Sequence, residues 1–340
     1  MAAWLDLVSD SVGWSLVDTG RMDEIVQGMS HPTTQYPSIL CFIGNKNRVQ
    51  AIRSLFPHNN TTRRGPAGLA RLHLSTTTAN TEHPVIFAES SLCDPSALGE
   101  CCNNPLSADR HRRYPVRGSK AESPLDLKRH VIRQLLFPWT HVVCLFVDNM
   151  AELKMARTLL EGSHTTMTAG YHATPPTMMR VVMVLTNPTA ACETGLEHEL
   201  LSESDLTDEY LPPITILDLR DRHELSPTAA FDPLRRMLVG ELHNSRAQRI
   251  QHGLLFSAFH LNFLWNRTLQ QCLLASSVAR IDCLQIARER LPVKASFKDC
   301  LVEFLEHSSK AGCSADEIHS FVASAILMDA YPPGMHREWT

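Results

Sequence analysis

The stretch from Ser38 to Phe56, SILCFIGNKNRVQAIRSLF, constrains the fold more than any other part of the chain. Ile39, Leu40, Cys41, Phe42 and Ile43 read as a buried strand, Gly44 as a turn, and Val49, Ile52 and Phe56 as the inner face of a helix. A strand that turns at glycine into a helix aims the first helical amides outward, where they favour a phosphate. A nucleotide pocket at Gly44 is therefore the first expectation to test.

A phosphate loop of the GxxxxGK(S/T) kind needs a second glycine for close backbone approach, a lysine for the terminal phosphates and a hydroxyl for magnesium. Counted from Gly44, those places hold Val49, Gln50 and Ala51, and all three requirements fail. Gly44, Asn45, Lys46, Asn47 and Arg48 remain as the groups able to attract an anion. The expected state is an inherited architecture that has lost its chemistry, with weak Mg-nucleotide binding as the alternative and no cofactor otherwise.

The remaining elements follow from periodicity. Residues 1 to 37 read as an amphipathic lead-in, with Val17, Met22, Ile25, Val26 and Met29 at helical spacing, placed to cover an edge or end of a sheet. LARLHLS and VIFA are strands joined by TTTANTEHP, a link too short for a crossover helix, so the pair is antiparallel. Residues 89 to 123 show no periodicity, which marks a functional or disordered loop. A helix at 125–136, the strand HVVCLFVD, a helix at 150–160, and the strands RVVMVLT and ITILDLR complete a mostly parallel sheet with helices on both faces. Beyond Pro227 apolar residues recur every three or four positions without a strand signal, and Ser314 and Glu317 form a capping box. The expected organisation is a lead-in over 1–37, an α/β domain over 38–225 and an α-helical module over 226–340.

This element order resembles the small GTPase version of the phosphate-loop fold, so the fold class expected is a degenerate, three-layer α/β/α P-loop domain followed by helices. In that fold a DxxG motif would fall on Glu89, Ser90, Ser91 and Leu92, keeping the carboxylate and losing the glycine. The base-reading NKxD would fall on Asn187, Pro188, Thr189 and Ala190, without the aspartate that specifies guanine. Thr61 or Thr62 would stand for the magnesium-sensing threonine. Each motif is broken, which argues against GTP hydrolysis.

Other chemistry is weaker still. Cys93, Cys101, Cys102 and His111 lack zinc spacing, because adjacent Cys101 and Cys102 do not both ligate one ion easily. His198-Glu199 and His223-Glu224 lack the second histidine of HExxH, since Ser202 and Pro227 stand there. Asp218 to His223 reads as a solvated salt-bridge network or an interdomain contact, and Arg110 to Arg117 as a basic loop that could dock an acidic partner or anionic lipid but is most often only solvated. A net charge of −4 argues against nucleic acid as a partner. No leader and no apolar run of about eighteen residues is present, so the expected location is cytoplasmic, without a transmembrane segment. Of the ten cysteines, Cys41, Cys144, Cys272, Cys283 and Cys300 fall inside elements and are expected to be reduced, small buried residues.

The combination QYPSILCFIGNKNRVQAIRSLFP, HVVCLFVDNMAELKMARTLL and AILMDAYPPGMHR resembles the region upstream of the catalytic domain in fungal patatin-like phospholipases, the FabD/lysophospholipase-like proteins. The likeness spans nearly the whole chain. It implies a GTPase-like module joined to helices, with a lipid acyl hydrolase following. Neither the GxSxG serine nor the Asp-Gly pair of that hydrolase occurs here, so no catalytic residue carries over. The expected role is a non-catalytic regulatory or scaffolding module whose protein partner is a patatin-type hydrolase.

Overall fold

The computed structural model describes residues 4–9, 13–44, 46–61, 68–91, 112–116, 123–160, 166–168, 179–187, 212–272, 280–283, 286 and 297–330. At its centre are β3 (Ser38–Ile43), β4 (Arg71–Leu74), β5 (Val85–Ser90), β7 (Val142–Val147), β9 (Arg180–Leu185) and β10 (Ile214–Asp218). They form one sheet in the order β10-β9-β7-β3-β5-β4, in which every pair is parallel except β4 with β5. From β3 the sheet grows through β5 and β4 on one side and through β7, β9 and β10 on the other. This is the strand order and direction of the small GTPase fold, so the α/β assignment with a P-loop-like topology holds.

Period-two alternation divides each central strand between two cores. Leu40, Phe42, Val142, Cys144, Phe146, Val182 and Val184 face one side. There they meet Ala51 and Ile52 of α2 (Lys46–Leu55) and Leu234, Leu238 and Leu242 of a long helix over Asp232–Gln251. Ile39, Cys41, Ile43, Val143, Leu145, Val181 and Met183 face the other side. They pack on α3 (Pro124–Val131) and α4 (Met150–Leu160), and the cluster extends to α1 (Arg21–Gln27). Both faces are covered, which is why these strands read as continuous apolar runs.

Three sequence expectations are corrected. Residues 1 to 37 are not one amphipathic lead-in: β1 (Leu5–Ser9) and β2 (Trp14–Asp18) form an antiparallel hairpin before α1, and β6 (Arg112–Pro115) joins it as a third strand. The hairpin does sit at the sheet's edge, since Leu5 bridges Ala70 just ahead of β4. The region after 226 contains a strand, β11 (Arg280–Asp282), paired in parallel with β8 (Thr166–Thr168). The helices there also share the sheet's cores. After the short α5 (Pro227–Ala230), α6 is the Asp232–Gln251 helix on one face. The next helix, α7 (Ala258–Cys272), places Leu261, Leu264 and Trp265 in the core of the other face, with Trp265 against Trp4 at a ring separation of 4.7 Å.

The helix expected over 125–136 is α-helical only to Val131. A π-helical turn (Ile132–Leu136) and a 3-10 turn (Phe137–Trp139) follow. Pro138 supplies no amide for a continuing helical ladder. At the C-terminal side, α8 (Phe297–Lys310) and α9 (Ala315–Ala330) form a helical hairpin in which Phe304 stacks on Phe321. Ser314 and Glu317 cap α9 reciprocally: Glu317 accepts from Ser314 N at 2.9 Å, and Glu317 N donates to Ser314 Oγ at 3.4 Å.

Candidate functional site: the crevice at the ends of the parallel strands

In open α/β sheets, ligands sit outside the carboxyl ends of the strands where the order reverses. Here that point lies between β3 and β7. Between Ile43, the end of β3, and Lys46, the start of α2, stand only Gly44 and Asn45. A GxxxxGK loop wraps a phosphate with six residues before its lysine. The turn at Gly44 is too short to do this.

The crevice itself is narrow at that point. Gly44 has φ +152°, and a Cβ added to it would lie 2.6 Å from Phe146 Cβ and 3.1 Å from the Phe146 carbonyl oxygen. Glycine is thus needed for the approach of two strand ends, not for the approach of a ligand.

Beyond Gly44 the opening is bridged by side chains from all three strand ends. Asn47, in the first turn of α2, donates through Nδ2 to Asp148 Oδ2 (2.9 Å) and to Thr186 Oγ1 (2.7 Å). The Thr186 hydroxyl donates in turn to Asp148 Oδ1. Asn187 Nδ2 reaches the Asp148 carbonyl at 3.3 Å. Asp148 N donates to Glu152 Oε2 (2.7 Å), while Glu152 N donates to Asn149 Oδ1 (2.9 Å), so the start of α4 is capped within the same network. A carboxylate of the chain's own, Asp148, thus stands beside the N-terminal turn of α2, a helix end that favours negative charge.

Glu89 occupies the end of β5, where the DxxG carboxylate was expected, and its surroundings do not suit a cation. Cross-strand register sets Arg71 opposite Glu89 at 3.5 Å. His73 approaches at 3.5 Å and Arg48 of α2 at 3.7 Å. Burial alone would raise the Glu89 carboxyl. The nearby His73, Arg48 and Arg71 outweigh burial and bring it down to about 2. The carboxylate is committed to three basic groups.

Of the residues proposed for a nucleotide, Arg48 and Glu89 are brought together, though as an ion pair. Gly44 packs on Phe146, Asn47 is held by Asp148 and Thr186, and Lys46 opens α2. Asn45 lies outside the described residues, as do Thr62, Leu92, Cys93, Cys101, Cys102, His111, residues 188–190 and the YPPGMH segment. Thr61 is buried, with its amide on the Asn59 carbonyl at 2.8 Å. Sequence reasoning missed Asp148, Thr186, Arg71 and His73. The available signal was position, since Asp148 ends the apolar run of β7 and Arg71 and His73 alternate along β4.

Two further arrangements look chemical and are structural. Ser257 Oγ lies 2.7 Å from His260 Nδ1, but Ser257 is the residue before α7 and receives the His260 amide. This is a helix cap, and both residues are 3% exposed. The Asp218–Arg220 pair at 2.7 Å joins a half-exposed carboxylate to a largely shielded guanidinium, so that cluster is only partly solvated. Cys41, Cys144 and Cys283 are buried and outside any disulfide, whereas Cys300 is exposed on α8, against expectation. Burial pushes the Cys41 thiol up to about 12. Among the described residues no helix is long and apolar enough to cross a membrane.

No family model and no curated protein matches the chain. Among solved structures it is similar to a variant of Era from Aquifex aeolicus bound to GDP·AlF4−, at 10% identity and a TM-score of 0.31. That likeness covers 61% of this chain and 57% of the Era chain. The fold assignment therefore rests on strand order and direction, described above.

Proposed function

We propose that this chain is a non-catalytic interaction module built on a GTPase-type sheet whose nucleotide crevice is closed by its own side chains. The observation that supports it most is the Asn47–Asp148–Thr186 bridge, formed where only two residues separate β3 from α2. The test is thermal unfolding with Mg-GTP and Mg-ATP, because a ligand that binds only the native state must raise Tm. No rise is expected with either nucleotide. A saturable rise that disappears in Lys46→Ala would replace this reading with weak nucleotide binding through Gly44, Asn45, Lys46, Asn47 and Arg48.

The finer part of the proposal is the partner, a patatin-type lipid hydrolase acted on in cis or in trans. Its support is the sequence resemblance at QYPSILCFIGNKNRVQAIRSLFP, HVVCLFVDNMAELKMARTLL and AILMDAYPPGMHR. Co-expression with a patatin-type hydrolase domain should give a co-eluting complex. Separate elution at micromolar concentrations of both proteins refutes the pairing and leaves the module reading intact.

A further inference from the structure

The opposite end of the sheet carries positive charge that no acid on the described chain answers by an ion pair. Arg249, in the last turn of α6, is 3% exposed, and one of its terminal nitrogens donates to the carbonyls of Pro138 (3.1 Å) and Thr140 (2.9 Å). Arg246, half-buried and one turn earlier, donates to Ser38 Oγ at 3.2 Å. The Nε atoms of both arginines are buried without a hydrogen-bond partner. His141 lies beside them and accepts the Ile39 amide on Nδ1 at 3.1 Å, which leaves Nε2 as its protonated nitrogen.

The acids of this region are committed or distant. Glu241 is paired with Arg180. Glu82 acts on Arg246 only at longer range, from a side chain that is 72% exposed. Burial lowers Arg249 to about 10 against the opposing influence of the buried Cys283 thiol, and burial together with the Arg249 and Arg246 charges outweighs a backbone hydrogen bond to Trp139 and lowers His141 well below its usual range. A buried guanidinium whose acceptors among the described residues are neutral carbonyls is costly, and a second cation one helical turn away adds repulsion. Both costs fall if an anion is present. Arginine forks suit the oxygens of a phosphate, and a neutral imidazole N–H is one more donor.

We propose that Arg246 and Arg249, beside Ser38 and His141 at the start of β3 and β7, form a binding site for a phosphate-type oxyanion entering past the half-exposed Arg246. The site goes beyond the function proposed above and is separate from the closed crevice. The length of β3, at about 3.3 Å per residue, sets the two roughly 20 Å apart.

The experiment titrates the full chain with sodium phosphate against sodium chloride at matched ionic strength and follows Tm. The expected result is a saturable rise of about 2–5 °C with phosphate only. It should be absent from Arg246→Ala, shown to be folded by circular dichroism. If that variant does not fold, Arg246→Gln keeps the stem and serves with the same outcomes. No rise, or an equal rise in wild type and variant, overturns the proposal. Co-sedimentation with phosphatidic acid vesicles, against phosphatidylcholine vesicles, assigns the source. Binding that free phosphate competes away identifies a lipid headgroup, and a phosphate response without vesicle binding identifies a free ion. Vesicle binding that Arg246→Ala leaves unchanged also overturns it.

Discussion

Substituting Gly44 by alanine tests whether the crevice is closed by contact between strand ends. The new Cβ would stand 2.6 Å from Phe146 Cβ and 3.1 Å from its carbonyl oxygen. Carbon atoms rest at about 3.5–4.0 Å, so β3 and β7 must separate by roughly 1 Å at a point where both are fully buried. Overpacking of this kind costs about 1–3 kcal/mol. The backbone at φ +152° adds about 1–2 kcal/mol for an L-residue. Together they predict a loss of about 2–5 kcal/mol, read as a lower denaturant midpoint and a Tm reduced by roughly 4–20 °C. The clash is with a Cβ, which gives the experiment its specificity. Combining Gly44→Ala with Phe146→Ala should give additive losses, because alanine keeps that atom. Combining it with Phe146→Gly should cost less than the sum. A Gly44→Ala protein within about 1 kcal/mol of wild type, or equal coupling in the two double variants, would refute the closed-crevice argument.

Three other outcomes are expected. Glu89 has its carboxyl lowered from 4.5 to about 2, so its contribution of about 3 kcal/mol is complete above pH 4.5 and is lost as pH falls from there toward 2. Urea unfolding across that window should show the loss in wild type and a flatter profile in Glu89→Gln; parallel profiles contradict the ion-pair assignment. Asp148→Ala removes the acceptor for Asn47 and Thr186 and should cost about 1–3 kcal/mol without creating nucleotide affinity, because the turn at Gly44 stays short. Mapped alkylation of the native protein should label Cys300 and Cys313 quickly and leave Cys41, Cys144 and Cys283 unlabelled until denaturant is added; early labelling of Cys41 or Cys144 would mean that the sheet core opens.

The sheet was legible because burial on two faces writes itself as unbroken apolar strands. HVVCLFVD and RVVMVLT needed no other signal, and the brevity of TTTANTEHP was enough to reverse β4 against β5. The hairpin at the start was missed for a local reason. Helical spacing counted from Val17 to Met22 runs across Gly20, whose φ of +75° ends one element and begins the next. Alternation in LDLVS and WSLVD was the competing period, and tertiary contact with Ala70 favours it. Periodicity after Pro227 identified helices with an inner face but not the surface each would meet. Leu234, Leu238 and Leu242 fit a self-contained bundle and a sheet equally well until Phe42 and Phe146 are placed opposite them.

The site was legible as a set of losses and illegible as a set of replacements. Val49, Gln50 and Ala51 stand where a phosphate loop has its glycine, lysine and hydroxyl, yet these departures do not say what fills the space. That answer depends on register and on which strand ends are neighbours. Arg71 matters only because it is paired opposite Glu89, and Asp148 only because β7 lies next to β3 with its end level with the first turn of α2. A helix N-terminus favours negative charge, and the part-buried Asp148 carboxylate lies within hydrogen-bond reach of Asn47 in the first turn of α2. Asn47 and Thr186 hold Asp148 in that place through both carboxylate oxygens. The Asp148 bridge is thus a product of topology, because it forms only where the ends of β7 and β9 lie beside the first turn of α2.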